Sequence, residues 1–206
     1  MRTPTGLRER KKLATREALR RAAITLYRRH GPDNVTVDDI CAAAGVSPRT
    51  FFNYFATKDE AVFALDVDPA DIQQRIVDRS GDEEPLQAIR AVFADLFAQL
   101  VRSETWRQRM LLLRERPELA ARPGHVGRAV ERAIAAAIAT RTGRPADSLY
   151  VRTTSAAAHA TLRAAVSRWH PDHEPDIVAL LHQAIDMLQQ GLRPPTDGRA
   201  APRRRS

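Results

Sequence analysis

Apolar residues recur every three or four positions along almost the whole chain, the spacing of helices with one buried face. Over 13–30, Ala14, Ala18, Ala22 and Leu26 form a stripe flanked by Leu19, Ala23 and Tyr27, with Arg16, Arg20, Arg21, Arg28 and Arg29 mostly outside it. Gly31 and Pro32 stop this helix. Two short helices follow, from Val37 to Ala44 and from Pro48 to Phe55, and a fourth begins at Lys58. Leu86, Ile89, Phe93, Leu96 and Leu100 predict a helix over 85–102, and 104–116 predicts another, stopped by Pro117. Val126, Val130, Ile134 and Ile138 mark one that Gly143 ends. Tyr150, Thr154, Ala158, Leu162, Val166 and Trp169 mark a helix over about 147–170, and Ile177, Leu181, Ala184 and Leu188 mark the last, over 176–190. No useful strand-like alternation and no internal repeat occur, so the expected fold class is all-α, with about nine helices.

Composition supports this. Of 206 residues 43% are hydrophobic but only 5% aromatic, so the core is built mainly from Ala, Leu, Val and Ile, which suits packed helices better than a β-sandwich. The single cysteine, Cys41, excludes an internal disulfide framework and a cysteine-based zinc cluster, and reads as a small packed residue. No apolar run is long enough for a transmembrane helix, and the charged start MRTPTGLRERKK lacks the apolar core of a secretory signal. The expectation is a cytoplasmic, nucleoid-associated protein with no membrane partner.

The net charge of +8 is unevenly placed. Residues 1–58 carry 12 Lys/Arg against 5 Asp/Glu, 59–192 carry 16 against 19, and 193–206 carry 5 against 1. A basic head, a mildly acidic body and a basic tail imply a polyanion-binding head joined to a body with another task.

The sharpest local signal is TVDDICAAAGVSPRTFFNYFATKDE, residues 36–60. Thr36 is a good N-cap, with Asp38 and Asp39 in the first turn where the helix dipole favours them. Gly45 suits the left-handed residue closing that helix. Ser47 caps the next helix with Pro48 at its first position, and Val46 and Phe51 form a hydrophobic staple. Thr57 and Glu60 make a capping box for the third. Phe51 and Phe55 point inward with Ile40, Ala44 and Val46. Pro48, Arg49, Phe52 and Asn53 are left on the opposite face, with Thr50 and Tyr54 at its margins. Arg and Asn pair with base edges, Thr and Phe touch thymine methyls, and Tyr and Lys reach phosphates. The pattern is a helix-turn-helix over 36–55 whose second helix is a candidate recognition helix.

With the preceding helix ending in LYRRHG, this stretch resembles the N-terminal DNA-binding domain of the TetR family of bacterial regulators over 13–65. Thr36, Gly45-Val46-Ser47, Thr50, Tyr54-Phe55 and Lys58 carry the resemblance, and Phe52 departs from it where the family often has Tyr. The resemblance implies Thr36, Ser47, Thr50, Tyr54 and Lys58 as mainly phosphate contacts, and Pro48, Arg49 and Asn53 facing the groove. It also implies a helical regulatory and dimerisation domain over 66–192, and composition reads the chain's basic segments 1–12 and 193–206 as disordered.

One short recognition helix covers few base pairs, so a homodimer on a palindromic operator is expected. The last two helices, the first of them Ala-rich, are the candidates for a four-helix dimer contact. The resemblance further implies that helices within 85–143 enclose an unidentified small, largely apolar ligand, with Trp106, Arg109, Met110, His159 and Arg163 as candidate contacts. His170 and His173 bracket Pro171 and Asp172 and do not form a helical metal pair, and no nucleophile, phosphate loop or carboxylate pair is present. No cofactor, metal or catalysis is expected. The expected function is a sequence-specific, ligand-responsive transcriptional repressor, against a non-specific nucleoid-type DNA-binding protein or an activator.

Overall fold

The computed structural model describes residues 6–63, 67–121, 125–173 and 176–192. Within these, helices follow in the order α1 (Leu7–His30), α2 (Val37–Ala44), α3 (Pro48–Phe52), α4 (Lys58–Phe63), α5 (Pro69–Val77), α6 (Pro85–Leu100), α7 (Glu104–Glu115), α8 (His125–Thr142), α9 (Leu149–Arg168) and α10 (Ile177–Gln189). Short 3-10 turns lie at Pro32–Asn34 and Pro117–Ala121. The described residues contain no strand.

Two apolar cores divide the molecule. The head core gathers Leu19, Ala23, Ile24 and Tyr27 from α1 with Ile40, Cys41, Phe51, Phe55, Ala61 and Val62. It is completed by Leu112 of α7 and Leu119, which lie well beyond residue 65. The body core is built by α5, α6, α8, α9 and α10, with Trp106 and Met110 from the other side of α7. The head is therefore not closed by 13–65 alone.

Three elements differ from the sequence expectation. The first helix starts at Leu7, so residues 7–12 are helical rather than a disordered arm. After Gly6 the run Leu-Arg-Glu-Arg-Lys-Lys contains only good helix formers and no breaker, and continuity with the packed part of α1 carries it. The remainder of that segment and the tail 193–206 lie outside the described residues. Next, α3 ends at Phe52, and 53–55 continue as a turn in which Phe55 N–H still donates to the Phe51 carbonyl at 3.0 Å. Finally, the helix that begins at Lys58 as expected runs to Phe63, and the periodicity does not single out α5, which starts behind Asp68, whose carboxylate accepts from Ala70 N–H at 2.9 Å, with Pro69 at the first position.

Arg20 also departs from its expected place. It is 1% exposed rather than off the apolar stripe. Its guanidinium lies over the Phe55 ring at 5.9 Å, beside that of Arg16 at 5.7 Å. Burial first, then Arg109 and Arg16, push its pKa down to about 10, so it stays protonated at neutral pH.

Candidate nucleic-acid interface

The local caps form as the residues dictate. Thr36 Oγ1 accepts from Asp39 N–H at 3.1 Å, and the Asp39 carboxylate accepts from Thr36 N–H at 2.8 Å, a reciprocal capping box; the Thr36 hydroxyl, 2.7 Å from that carboxylate, and then the Thr36 N–H hold the Asp39 carboxyl below its ordinary value. Gly45 closes α2 at φ 68°, a left-handed conformation that a side chain would strain. Ser47 Oγ accepts from Thr50 N–H at 3.2 Å and lies 3.0 Å from Thr50 Oγ1. Before α4, Thr57 Oγ1 accepts from Glu60 N–H at 3.0 Å. The Glu60 carboxylate accepts from Ala56 N–H at 2.6 Å rather than from Thr57, a box displaced by one residue.

Helices of eight and five residues have little stability alone. Phe51 and Phe55 are 0% and 1% exposed, and each contributes about 2 kcal/mol of burial that pins α3 from behind. Tyr27 adds an inter-helix tie by donating its hydroxyl to Asp59 at 2.5 Å. Pinned this way, α3 presents a continuous outward ridge of Ser47, Pro48, Arg49, Phe52 and Asn53, all exposed, with Phe52 at 58%. Thr50 and Tyr54 are half-buried at the margins, and Thr36 is exposed at the start of α2.

Lys58 is the exception among the candidate contacts. Its ammonium donates to the carbonyls of Pro32 at 2.7 Å and Val35 at 2.8 Å, and it is half-buried. It ties the start of α4 to the loop before α2 instead of standing free toward solvent. Nothing local announces this, because the acceptors lie more than twenty residues earlier in the chain.

Comparison with known proteins agrees with this geometry. Residues 19–65 match the family described as bacterial regulatory proteins, tetR family, and residues 83–193 match the MftR C-terminal domain. The HTH-type transcriptional regulator TcmR of Streptomyces glaucescens is 32% identical over 200 residues, covering 91% of this chain and 88% of that protein. This chain belongs to the TetR family. The putative mycofactocin biosynthesis transcriptional regulator MftR of Mycobacterium tuberculosis is 28% identical, covering 82% of this chain and 87% of that protein. Among solved structures, Thermus thermophilus FadR in complex with lauroyl-CoA covers 91% of this chain and all of its own at 22% identity, with a TM-score of 0.51. SmeT, the repressor of a Stenotrophomonas maltophilia multidrug efflux pump, covers 87% of this chain and 91% of its own at 21% identity, with a TM-score of 0.52. These two share the fold.

In this TetR-family regulator the five candidate ligand contacts are not brought together. Trp106 is 3% exposed and stacks on Trp169 with ring centroids 4.7 Å apart, and Met110 is buried beside it in the body core. Arg109 is buried where α7 meets α1, its pKa pushed down to about 10 by burial and held up in part by Glu17. Arg163 is exposed. His159 is half-buried, with Nδ1 3.4 Å from the Glu131 carboxylate, and burial lowers its pKa below the ordinary value.

A cleft of about 540 Å³ opens between α8 and α9, lined by Arg128, Glu131, Arg132, Ala135, Arg152, Ser155 and Ala156. Apolar periodicity singles out none of these residues, yet a finer charge count reveals them. The α8–α9 hairpin, 125–168, carries seven Arg against Glu131 and Asp147, inside a body that is acidic on average. Elsewhere, His170 Nδ1 and His173 Nδ1 lie 2.7 Å apart in the loop before α10, where Asp172 is engaged by Arg107. The described residues hold no group of three or more metal-ligating side chains, and none of their helices is long and apolar enough to cross a membrane.

Proposed function

We propose that this regulator is a homodimeric repressor that binds a palindromic operator and is released by a small molecule bound in its helical body. The observation that carries the proposal is the outward ridge of α3, in which Pro48, Arg49, Phe52 and Asn53 stand exposed while Phe51 and Phe55 fix the helix from behind. Such a ridge enters a major groove with Arg49 and Asn53 at base edges and Phe52 against thymine methyls. Thr36, Ser47, Thr50 and Tyr54 lie where phosphates would flank it, and Lys58 supports them by holding the loop before α2.

The dimer contact is assigned to α9 and α10, which pack on each other at the end of the chain. The outward side of α9 is small toward its end, with Ala160 and Ala164 exposed, and α10 presents Ala179, Gln183 and Met187. Small side chains permit the close helix approach a four-helix interface needs. The repressor acts in the cytoplasm, on chromosomal DNA.

Selection of bound fragments from a random-sequence DNA library tests the proposal. The expected result is an inverted repeat with half-sites separated by whole helical turns. Arg49→Ala then relaxes preference at one position of each half-site, by about 1–3 kcal/mol of discrimination. Equal binding to selected and random DNA would overturn it in favour of a non-specific DNA-binding protein.

A further inference from the structure

We propose that the cleft between α8 and α9 binds a small organic anion, whose oxyanion is held by Arg128, Arg132 and Arg152 and whose apolar part rests on Ala135 and Ala156. The inference rests on the reading of the body as ligand-responsive, and it names the chemistry of the ligand.

Arg128 and Arg132 stand one helical turn apart on α8, and Arg152 faces them from α9 across the cleft. The three guanidiniums are exposed, and together they raise a positive potential over the cleft that favours an anion. The cleft supplies one carboxylate, Glu131, which is shared with His159 at 3.4 Å. Two of the four other arginines of the hairpin are engaged elsewhere. Arg141 donates to the carbonyls of Ile76, Arg79, Ser80 and Glu83, and Arg144 lies over the Tyr150 ring at 5.0 Å. By contrast, the only hydrogen bond that the three cleft guanidiniums make among the described residues runs from Arg132 Nε to the Arg128 carbonyl at 3.2 Å.

The two helices assigned to the dimer contact carry no free carboxylate toward it. No acidic residue occurs in α9, and the one carboxylate of α10, Asp186, is paired with Arg90 at 2.9 Å. A soluble anion is the remaining counter-charge. Guanidinium forks grip planar oxyanions through paired N–H donors, which suits a carboxylate or a phosphate ester. Between the charged side chains the cleft is lined by half-buried Ala135, exposed Ala156 and buried Ser155, whose hydroxyl already donates to the Arg152 carbonyl at 3.1 Å. The remainder of the ligand is therefore apolar. The volume of about 540 Å³ falls in the range of small-molecule sites.

The test uses the full-length chain and two probes with the same rings, anionic 8-anilinonaphthalene-1-sulfonate and neutral N-phenyl-1-naphthylamine, in calorimetric titrations. The expected result is one sulfonate probe per chain, with affinity weakened at least about tenfold in Arg132→Ala/Arg152→Ala and partly restored in Arg132→Lys/Arg152→Lys. The exposed control Arg102→Ala leaves it unchanged. Competition by benzoate against phenyl phosphate tells a carboxylate ligand from a phosphate ester. The proposal is overturned if the double alanine variant binds the sulfonate within about twofold of the parent, or if the neutral probe binds equally tightly. Gel shifts on selected DNA run in parallel. Intact DNA binding without arginine-dependent probe binding defeats the cleft alone, whereas absent specific DNA binding with arginine-dependent probe binding defeats the regulator reading alone.

Discussion

Lys58→Met separates a residue that touches DNA from one that shapes the surface touching it. Met keeps most of the apolar stem and removes the ammonium, so the carbonyls of Pro32 and Val35 lose donors at 2.7 and 2.8 Å. Hydrogen bonds from a charged donor contribute about 1.5–3 kcal/mol when well buried, and a half-buried site lies below that. About 1 kcal/mol each gives a loss of about 2 kcal/mol in all. For a chain of this size that is a fall of about 4–8 °C in Tm, read by circular dichroism at fixed protein concentration. Loosening the loop before α2 weakens selected and random DNA by the same factor, and the slope of log K against log salt stays put. A direct phosphate contact would instead lower that slope by about 0.9 per contact, about 1.8 for two subunits. An unchanged Tm together with a slope lowered by that amount would refute the loop-holding role.

Further outcomes follow from the same contacts. Leu112→Ala, on α7 and 0% exposed, destabilises the head core by about 2–5 kcal/mol and raises hydrogen exchange at α2 and α3 amides, although it lies far from them in sequence; exchange rising only in α8–α10 would contradict the placement. Glu17→Gln removes the negative charge beside buried Arg109 and costs about 3 kcal/mol in thermal or urea unfolding, and a variant as stable as the parent would show that Arg109 is compensated otherwise. His159 has its pKa lowered by burial ahead of the opposing pull of Glu131, so the folded state resists its protonation. Its contribution to stability is present in full above about pH 6.5 and is lost as pH falls below that toward the lowered folded-state value. His159→Gln should remove this part of the acid sensitivity, and identical pH profiles for the two proteins would count against it.

The head was readable because its determinants are local. Thr36, Gly45, Ser47 and Pro48 each act on a backbone group within a few residues, and the i, i+4 pair Phe51 and Phe55 names its own buried face. Local signals also explain the misplacements. Five cations in 1–12 suggest a solvated arm, yet helix propensity is decided residue by residue, and nothing between Leu7 and Leu13 breaks a helix. Lys58 and Arg20 depend on partners distant in sequence, which periodicity cannot name. The arginines of the α8–α9 cleft disappear when charge is averaged over 59–192, because acidic residues elsewhere in the body outnumber the cations there.

The least readable element, α7, is the one that joins head and body. Its apolar pattern shows that it is buried but not that two cores share it. Leu112 enters the head, Trp106 and Met110 enter the body, and Leu113 touches both. Polar contacts follow the same division. Toward α1, Thr105 donates to Glu17, and Arg28 reaches Gln108 and both oxygens of Glu115. Toward the end of α9, Arg107 engages Asp172, and Arg114 donates to the Trp169 carbonyl at 2.9 Å. Close-packed interiors do not absorb a sliding helix by gradual compression, so a displaced α7 must either carry α1 with it or open one of its two interfaces. The α1 side has a buried arginine beside Glu17, and the cost of separating such charges resists opening there. A movement of the α9–α10 junction would therefore be passed to α1, and through Tyr27, Phe51 and Phe55 to the outward ridge of α3, by contacts that bypass the chain from α5 to α4.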